Sequence, residues 1–349
     1  MNLKKLIHKT TLFIFVLVIA VSAYSQVEYY GPFQHENNYV HSKTSEVYDA
    51  VINKKGDILF TSGTSYDIIA WDLKTQEKLH NFSGANSVIY SIALSDDEKK
   101  IAGGEYLTSF KIWDTDTGKI ITDWHDDQLF GATELRYITF SKDGNRIFAK
   151  MYPHYEMLEY GIYCWNALDG TLITRLDCVG GRIRGKIISD NHGDTIFTNW
   201  SKLIDVNNNK VLVDFGSNSQ PINLNQNVIV YLFKNNKSLR TLYNVPEKKF
   251  SKLDELPFNL NYIIIDFSKT GRYGIFGEIK GNFSLYPKMI YDFQKGEAIY
   301  EFQELNLAPY KKVVFSDNTR FIIAVSEDNG AEVLDISKLV SSVENRNKY

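Results

Sequence analysis

The chain contains little cysteine and little proline: two cysteines and seven prolines among 349 residues. Few prolines, together with 22 tyrosines and 21 phenylalanines, suit a β-rich fold, because flat rings cover pleated surfaces well. Cys164 and Cys178 could form a disulfide outside the cytoplasm. However, a hairpin turn at Asp169-Gly170 would place Cys164 opposite a residue near Thr174 and Cys178 beyond the strand end. We therefore expect two separate, partly buried thiols.

Short enzyme motifs are also missing from the sequence. It has no GxSxG elbow, no His-Glu-x-x-His, no phosphate-binding glycine loop and no CxxC pair. This absence favours a non-enzymatic protein and gives no reason to expect a cofactor. The formal net charge is -3 and no basic cluster is visible, so nucleic acid is not an expected partner.

A long apolar run occurs at the N-terminus, from Leu12 to Val21. Small residues at Ala23 and Ser25 follow it, and lysines precede it at Lys4, Lys5 and Lys9. This pattern predicts a signal peptide over residues 1–25, a single mature domain over residues 26–349, and a periplasmic, extracellular or cell-surface location. The alternative is an uncleaved anchor, although the run is about half of the ~20 residues that a membrane-spanning helix needs. No membrane insertion is expected after cleavage.

An internal repeat becomes visible when Trp-Asp pairs are aligned. Trp71-Asp72 is followed after 42 residues by Trp113-Asp114 and after a further 52 by Trp165-Asn166. Weaker copies continue the series, and the mean spacing is about 44 residues. These copies are Ile204-Asp205, Tyr243-Asn244, Tyr291-Asp292 and Leu334-Asp335.

A second landmark repeats with the first. Each copy contains an apolar strand that ends in Ser or Asn before a polar turn, and four of the seven landmarks lie 18 residues before their pair. The landmarks are Asn53, Ser95, Ser141, Ser189, Asn225, Ser268 and Ser316. Because the Trp-Asp-like pairs and the Ser or Asn landmarks recur at matching spacing, they indicate a real repeat. Each copy is predicted to contain four strands, with turns after the first and third strands and a loop after the second. The fifth copy has the poorest turn signal.

The stretch SFKIWDTDTGKIITDW shows the last two strands of a copy, with Thr117-Gly118 as the hairpin turn. We expect the ring of Trp113 to pack between neighbouring sheets. The carboxylate of Asp114 could accept N–H bonds within the turn and hold it closed.

The pairs, the period and the SKDG turn at Ser141–Gly144 resemble WD-repeat (WD40) β-propellers, in a diverged, exported bacterial form. The resemblance implies an all-β fold, a seven-bladed propeller of four-stranded antiparallel blades. It also implies a ring closed by an N-terminal strand, for which Val27–Phe33 is the candidate. A bacterial propeller outside the strict family is the alternative.

The sequence departs from the family pattern at the Gly-His that usually precedes the first strand. The matching pairs here are Gly84-Ala85 and Gly131-Ala132, and the second repeat also lacks the expected turn aspartate. The usual histidine-centred hydrogen-bond network therefore cannot form in that repeat. His35 and His41 have no visible partners and are interpreted as ordinary surface or packing residues.

Extra residues concentrate in loops that a propeller would place on one face. They lie in the segments 124–134, 151–161, 278–288 and 302–311. Their aromatic side chains suit peptide or carbohydrate recognition, so we expect a binding patch there. Its members are Tyr152, His154, Tyr155, Tyr160, Phe283 and Tyr286. The alternative is that these insertions pack against their own propeller.

His125, Asp126 and Asp127 form a weak candidate metal site, because adjacent residues rarely all face one ion. A solvated loop is the favoured interpretation, and the run 191–194 is interpreted as a tight turn on the opposite face. The sequence as a whole predicts a non-catalytic scaffold with a protein partner. The alternatives are a propeller lactonase, lyase or glycan hydrolase with acids at the channel mouth, and a structural subunit of an envelope complex.

Overall fold

The structure, a computed structural model, describes most of the chain. The described ranges are 27–36, 46–106, 108–125, 133–153, 161–176, 187–198, 202–215, 227–234, 237–244, 247, 249–251, 254–255, 262–281, 284–302, 309–326 and 330–345. Within them the fold is all-β, with antiparallel strands and a single helix, so the predicted fold class is confirmed at that level. The predicted signal peptide lies outside these ranges.

The N-terminal strand β1 spans Glu28–Phe33, and four regular sheets of four consecutive strands follow it. Sheet 1 contains β2 (Val47–Ile52), β3 (Ile58–Gly63), β4 (Ile68–Asp72) and β5 (Lys78–Phe82). Sheet 2 contains β6 (Ile89–Leu94), β7 (Lys100–Glu105), β8 (Ser109–Asp114) and β9 (Ile120–His125). Sheet 3 contains β10 (Thr133–Phe140), β11 (Arg146–Pro153), β12 (Gly161–Asn166) and β13 (Leu172–Leu176). Sheet 4 contains β14 (Ile187–Ser189), β15 (Thr195–Thr198), β16 (Lys202–Asp205) and β17 (Lys210–Asp214).

Sheet 5 is less regular, as its weak turn signal suggests. It contains β18 (Asn227–Lys234), β19 (Lys237–Asn244), β20 (Lys249–Phe250) and β21 (Asp254–Glu255). The two short strands both pair with β19, so they share the position of a fourth strand. The first strand predicted for this repeat, ending at Asn225, lies outside the described residues.

The last two repeats are joined in one eight-stranded sheet. Sheet 6 contains β22 (Ile263–Phe267), β23 (Tyr273–Lys280), β24 (Ser284–Asp292) and β25 (Glu297–Glu301). Sheet 7 contains β26 (Tyr310–Phe315), β27 (Phe321–Ser326) and β28 (Gly330–Asp335). A single bridge between Leu285 and Tyr310 links the two halves.

The N-terminal strand supplies the fourth strand of sheet 7. β1 pairs antiparallel with β28, with Glu28 opposite Asp335 and Phe33 opposite Ala331. This segment is the one predicted to be the closing strand. Phe33 then packs with Trp71 of sheet 1, at 5.6 Å between ring centroids.

The core lies between neighbouring sheets. Six clusters of buried apolar side chains are described, at the contacts of sheets 7 and 1, 1 and 2, 2 and 3, 3 and 4, 4 and 5, and 6 and 7. Trp113 is fully buried in the cluster of sheets 1 and 2. Since each sheet has two apolar faces, the stacking of sheets supplies the burial that a lone repeat lacks.

Each repeated pair ends the third strand of its sheet, and in the first six repeats its second residue accepts hydrogen bonds in the turn to the fourth strand. In the seventh repeat, Asp335 instead accepts the N–H of Ser337. The Oδ1 atom of Asp114 accepts hydrogen bonds from the N–H of Thr117 at 2.8 Å and from its hydroxyl at 2.7 Å. Asp72 accepts in the same way from the N–H groups of Lys74 and Thr75. The hydrogen bonds from Thr117 lower the pKa of Asp114.

The repeated serine performs a matching task in the turn between the first and second strands. Ser95 Oγ accepts the N–H of Lys100 at 2.9 Å and donates to Asp97 at 2.6 Å. Ser141 Oγ accepts from Arg146 and donates to Asp143 at the same two distances. One hydroxyl thus satisfies both sides of the turn in these two repeats. In the first repeat the amide of Asn53 does the same, accepting the N–H of Ile58 at 3.1 Å and donating to Asp57 at 2.8 Å.

His35 corrects the sequence interpretation, which assigned it no partner. It is buried, its Nε2 lies 2.7 Å from Thr61 Oγ1, and its Nδ1 lies 2.6 Å from Ser65 Oγ. Thr61 Oγ1 also accepts the indole N–H of Trp71 at 2.7 Å. A histidine-centred network therefore exists in the first repeat, and sequence reasoning missed it because Gln34-His35 replaces the family's Gly-His.

The second repeat uses a different arrangement. Gly103 stands where the first repeat has Thr61, so no hydroxyl is available to the tryptophan. The indole N–H of Trp113 donates instead to the backbone carbonyl of Ser83 at 2.9 Å. A main-chain acceptor thus takes the place that the Thr61 hydroxyl holds in the first repeat.

Two further features concern Cys164 and the C-terminus. Cys164 is a buried free thiol opposite Thr174, the predicted register, whereas Cys178 lies outside the described residues. Residues Ser337–Asn345 form helix α1, which the sequence did not resolve. Leu339 of this helix packs into the cluster of sheets 6 and 7.

We predict that Trp113→Ala lowers the free energy of unfolding by about 3–5 kcal/mol, because it removes a fully buried aromatic ring and leaves a cavity. Chemical denaturation of the variant measures this loss. Leu168→Ala is the control, because Leu168 is 72% exposed and should change stability by no more than about 0.5 kcal/mol. A loss below about 1 kcal/mol for Trp113→Ala would contradict the packing described here.

We also predict a contribution of His35 to the pH dependence of stability. Burial, with a smaller effect of Lys78, lowers the pKa of His35 from 6.5 to about 3. Between these values the unfolded chain binds a proton that the folded chain does not, so stability falls as the pH decreases from about 6.5.

The measurement is the free energy of unfolding of the wild type and of His35→Gln between pH 7 and pH 4. The wild type should lose up to roughly 1 kcal/mol per pH unit more than the variant. Parallel curves for the wild type and His35→Gln would show that His35 is not held neutral.

Candidate functional site

The first strands of neighbouring sheets contact one another, and we call them the inner strands. β2, β6, β10 and β14 contact one another in sequence, β22 contacts β26, and β2 also contacts β27 of sheet 7. We call the side on which the first strands begin the upper face. Because the second strands run antiparallel, the connections from second to third strands also lie on the upper face.

A row of two cations and two tyrosines crosses four successive sheets at this face. Lys311 Nζ lies 4.4 Å from the ring centroid of Tyr48, and the rings of Tyr48 and Tyr90 are 4.8 Å apart. The guanidinium of Arg136 lies 4.9 Å from the centroid of Tyr90. We call these four residues the upper row. Each contact is of cation–π or aromatic type and joins a different pair of sheets.

The upper row occupies equivalent positions in its four strands. The pairing of the first strand with the second shifts at Tyr48, Tyr90 and Lys311, which are the extra residues of β-bulges. Arg136 directly precedes the same irregularity in β10. A bulge releases a side chain from regular alternation, so these residues can point away from the packed faces.

Sequence reasoning missed the upper row, although a signal was present. Each member lies five residues before the Ser or Asn landmark of its repeat. The same spacing selects Arg184 in the fourth repeat, which lies outside the described residues. In the fifth and sixth repeats the same spacing selects Gln220 and Ile263, so the position has no uniform composition. Only the contacts of the four members of the upper row reveal a common role.

Ion pairs accompany the row on the first strands. Lys311 pairs with Glu46 at 3.2 Å, and Arg136 pairs with Glu134. One residue deeper, Lys312 pairs with Asp49 and donates to the carbonyl of Ala50 at 3.2 Å. In all three pairs the basic side chain is more exposed than the carboxylate. The exposed fractions are 29% against 20% for Lys311 and Glu46, 41% against 9% for Arg136 and Glu134, and 27% against 9% for Lys312 and Asp49.

Neighbouring first strands are also joined by short polar side chains. Asp49 Oδ2 accepts the N–H of Ile92 at 3.0 Å, and Ser91 Oγ accepts the N–H of Ile138 at 3.1 Å. Asp266 accepts the N–H of Phe315 at 2.8 Å. These bonds fix the spacing of the inner strands, so the upper row stands on a rigid support.

Lys150 lies beside the row but differs from its cations. Its Nζ is 4.8 Å from the ring centroid of Tyr137, and the residue is 1% exposed. Burial lowers the pKa of Lys150 well below its ordinary value, since charge is costly away from water. We therefore do not count Lys150 among the charges that this face offers to a ligand.

The insertion in the sixth repeat forms a strand extension and not a free loop. β23 and β24 pair as far as Ile279 with Leu285 and Lys280 with Ser284. Tyr286, a predicted binding residue, lies on this hairpin with Lys280 Nζ 5.1 Å from its ring centroid. The bridge from Leu285 to Tyr310 brings the hairpin next to Lys311 and the upper row.

The other predicted binding residues are described only in part. Tyr152 lies on β11 opposite Glu134, and its side chain is not described. His154, Tyr155, Tyr160 and Phe283 lie outside the described residues. Whether they meet Tyr286 in one patch therefore stays a prediction.

The weak metal candidate is also described only in part. His125 is exposed at the end of β9, and Asp126 and Asp127 lie outside the described residues. Within the described ranges, no group of three or more His, Cys, Asp or Glu side chains is placed to hold a metal ion.

No helix in the part of the chain that the structure describes has the length and apolar character needed to cross a membrane.

Solved structures share this fold. The Cps50 (Swd1) β-propeller domain of Myceliophteria thermophila superposes with a TM-score of 0.60 at 12% identity, covering 86% of this chain and 98% of that one. The RRP9 WD40 repeats give 0.58 at 11% identity, with 89% and 97% covered. U3-55K gives 0.57 at 12% identity, with 89% and 98% covered. At such identities the likeness shows the fold alone, that of a diverged WD-like β-propeller.

Similarity to curated sequences is shorter. Translation initiation factor 3 subunit I of Scheffersomyces stipitis is 30% identical over 97 residues, which are 28% of this chain and 26% of that protein. The subunit from Brugia malayi is 29% identical over 96 residues, 28% of each chain. These matches span about a quarter of the curated relatives. No family model matches the chain.

Proposed function

We propose that this protein is a non-catalytic scaffold that binds a protein partner through its upper face. In this proposal the seven repeats form one closed ring of seven blades, and the mature domain of residues 26–349 is exported. The fold supports the scaffold role, because the WD-like propellers that it resembles suggest protein interaction. The signal-peptide pattern supports export.

The observation that carries the proposal is the upper row. Four partly buried side chains from four sheets meet on one rigid surface, at the end of the inner strands where the long β23–β24 hairpin also lies. Aromatic and arginine side chains on a rigid support are the residues that most often anchor protein interfaces. The surface is therefore suited to a macromolecular partner.

Carbohydrate is less well matched to this surface. A sugar needs an aromatic face on which to stack, and the rings of Tyr48 and Tyr90 already contact each other and one cation each. No arrangement of described residues favours one of the enzymatic alternatives. We therefore propose one function and treat the others as outcomes of its test.

The test is crosslinking of the mature protein in its native envelope, followed by identification of the captured proteins. We expect one specific partner from the wild type. The triple variant Tyr152→Ala, Tyr155→Ala and Phe283→Ala should reduce its recovery by about tenfold or more, since interface aromatics commonly contribute 1–2 kcal/mol or more each.

The matched control is a triple alanine variant of exposed leucines on the outer strands and turns, Leu168, Leu172 and Leu212. It should retain the partner. Equal recovery from both triple variants would show that the predicted patch of Tyr152, Tyr155 and Phe283 is not part of the interface. Failure of the wild type to capture any partner would contradict the scaffold proposal and direct attention to a lactone and glycan panel.

The export proposal has its own measurement. Cleavage after Ser25 should give a mature chain that begins at Gln26, because the small residues at positions 23 and 25 are those that signal peptidase reads. Mass spectrometry of the envelope-derived protein determines this terminus. A chain that retains residues 1–25 would support the uncleaved anchor instead.

A further inference from the structure

The first strands present positive charge to solvent although their formal charges nearly balance. In each of the three ion pairs described on these strands, the carboxylate is more buried than its basic partner, and the largest contrast is Arg136 at 41% against Glu134 at 9%. The hairpin pair repeats the asymmetry, with Lys280 at 58% and Glu278 at 28%. The accessible atoms of these pairs are therefore mostly cationic.

Ion pairs on the outer strands and on the opposite face include the reverse arrangement. Lys202 is 24% exposed and its partner Asp214 is 54% exposed, and Lys269 is 47% exposed against 68% for Asp317. The chain as a whole carries a formal net charge of -3. Pairs with the more exposed base also occur on the opposite face, where Lys55 is 80% exposed against 39% for Asp57. The upper face is distinguished because four such pairs lie together on the first strands and the β23–β24 hairpin, beside the row of tyrosines.

The tyrosines of the upper row hold its two cations in place. Each terminal cation lies over a ring, and the two rings lie against each other, so the charges of Lys311 and Arg136 are fixed at the two ends of one row. A cation that is already positioned loses less side-chain entropy when it binds a ligand. Arginine also has five N–H donors in a planar fork that matches a carboxylate.

We infer that the upper row recognises a carboxylate-rich, acidic segment of the partner protein. This inference rests on the proposed function and adds the chemistry of the partner. Carboxylates of the segment would bind Lys311 and Arg136 and compete there with Glu46 and Glu134. The spacing of the cations over four sheets requires an extended segment and not one isolated carboxylate.

The test uses a fluorescein-labelled octaglutamate and measures its binding to the mature protein by fluorescence anisotropy at low and moderate salt. The wild type should bind octaglutamate, and higher salt should weaken the binding. A labelled octaglutamine should bind at least tenfold more weakly. The double variant Lys311→Gln and Arg136→Gln should lose at least tenfold in affinity for octaglutamate.

Two variants separate recognition from a merely structural role. Glu46→Gln with Glu134→Gln removes the competing carboxylates and should strengthen octaglutamate binding, whereas damage to the fold would weaken it. Lys55→Gln with Lys269→Gln removes the same number of positive charges from the opposite face, in turns between first and second strands, and should leave binding unchanged. Equal losses in this control and in the Lys311/Arg136 variant would overturn the inference, because binding would then follow net charge alone.

Other outcomes also decide the matter. Equal binding of octaglutamate and octaglutamine would overturn the inference, and so would equally tight binding of a labelled oligothymidylate, because the surface would then not select carboxylates. If the partner captured by crosslinking is retained by the Lys311/Arg136 variant, this inference fails and the scaffold proposal stands. If no partner is captured, the scaffold proposal fails whatever the peptide result.

Discussion

Apolar packing between the faces of neighbouring sheets is the interaction on which the rest of the structure depends. Backbone hydrogen bonds join strands within each sheet, whereas the described backbone bonds between sheets are few, such as the bridge of Leu285 with Tyr310 and the bond from the N–H of Asp143 to the carbonyl of Asn191. A single four-stranded sheet with two apolar faces cannot bury either one by itself. The large ring of Trp113, fully buried between sheets 1 and 2, shows how one residue per repeat can supply much of that contact.

This constraint explains which parts of the fold the sequence predicts. Packing requires an apolar residue at the end of each third strand, and turn closure requires an oxygen acceptor directly after it, so pairs such as Trp113-Asp114 and Tyr291-Asp292 remain visible after extensive divergence. The same applies to Ser95 and Ser141, whose hydroxyls satisfy both sides of a turn. Strand order within a repeat follows from these landmarks, whereas the position of β1 was expected only from the resemblance to WD-repeat propellers. Local chemistry repeated at fixed spacing is therefore the part of the fold that can be predicted.

Contacts that differ from repeat to repeat could not be predicted. The histidine network of His35 depends on Thr61 in one strand and Ser65 in a loop, and no pattern in the sequence connects them. The second repeat meets the same need with the carbonyl of Ser83, which no side-chain pattern can reveal. The upper row is a similar case, because Lys311 and Tyr48 are distant in sequence and become neighbours only when sheets 7 and 1 pack together. Such sites are formed by tertiary structure.

The position of the upper row shows how a repeat protein can vary its binding surface without disturbing its core. Residues in the regular part of a strand must alternate between two packed faces, so their character is constrained. A bulge residue such as Tyr48 or Lys311 is exempt from that alternation, and it lies at the inner end of the sheet where several repeats meet. Tyrosine, arginine and lysine can therefore replace one another there while Asp49 and Ser91, in the next position, keep the strands joined. Tyr48 is followed directly by Asp49, and Tyr90 by Ser91. The hydrogen bonds of Asp49 and Ser91 that join the inner strands therefore also hold the neighbouring residues of the upper row, which would select a partner.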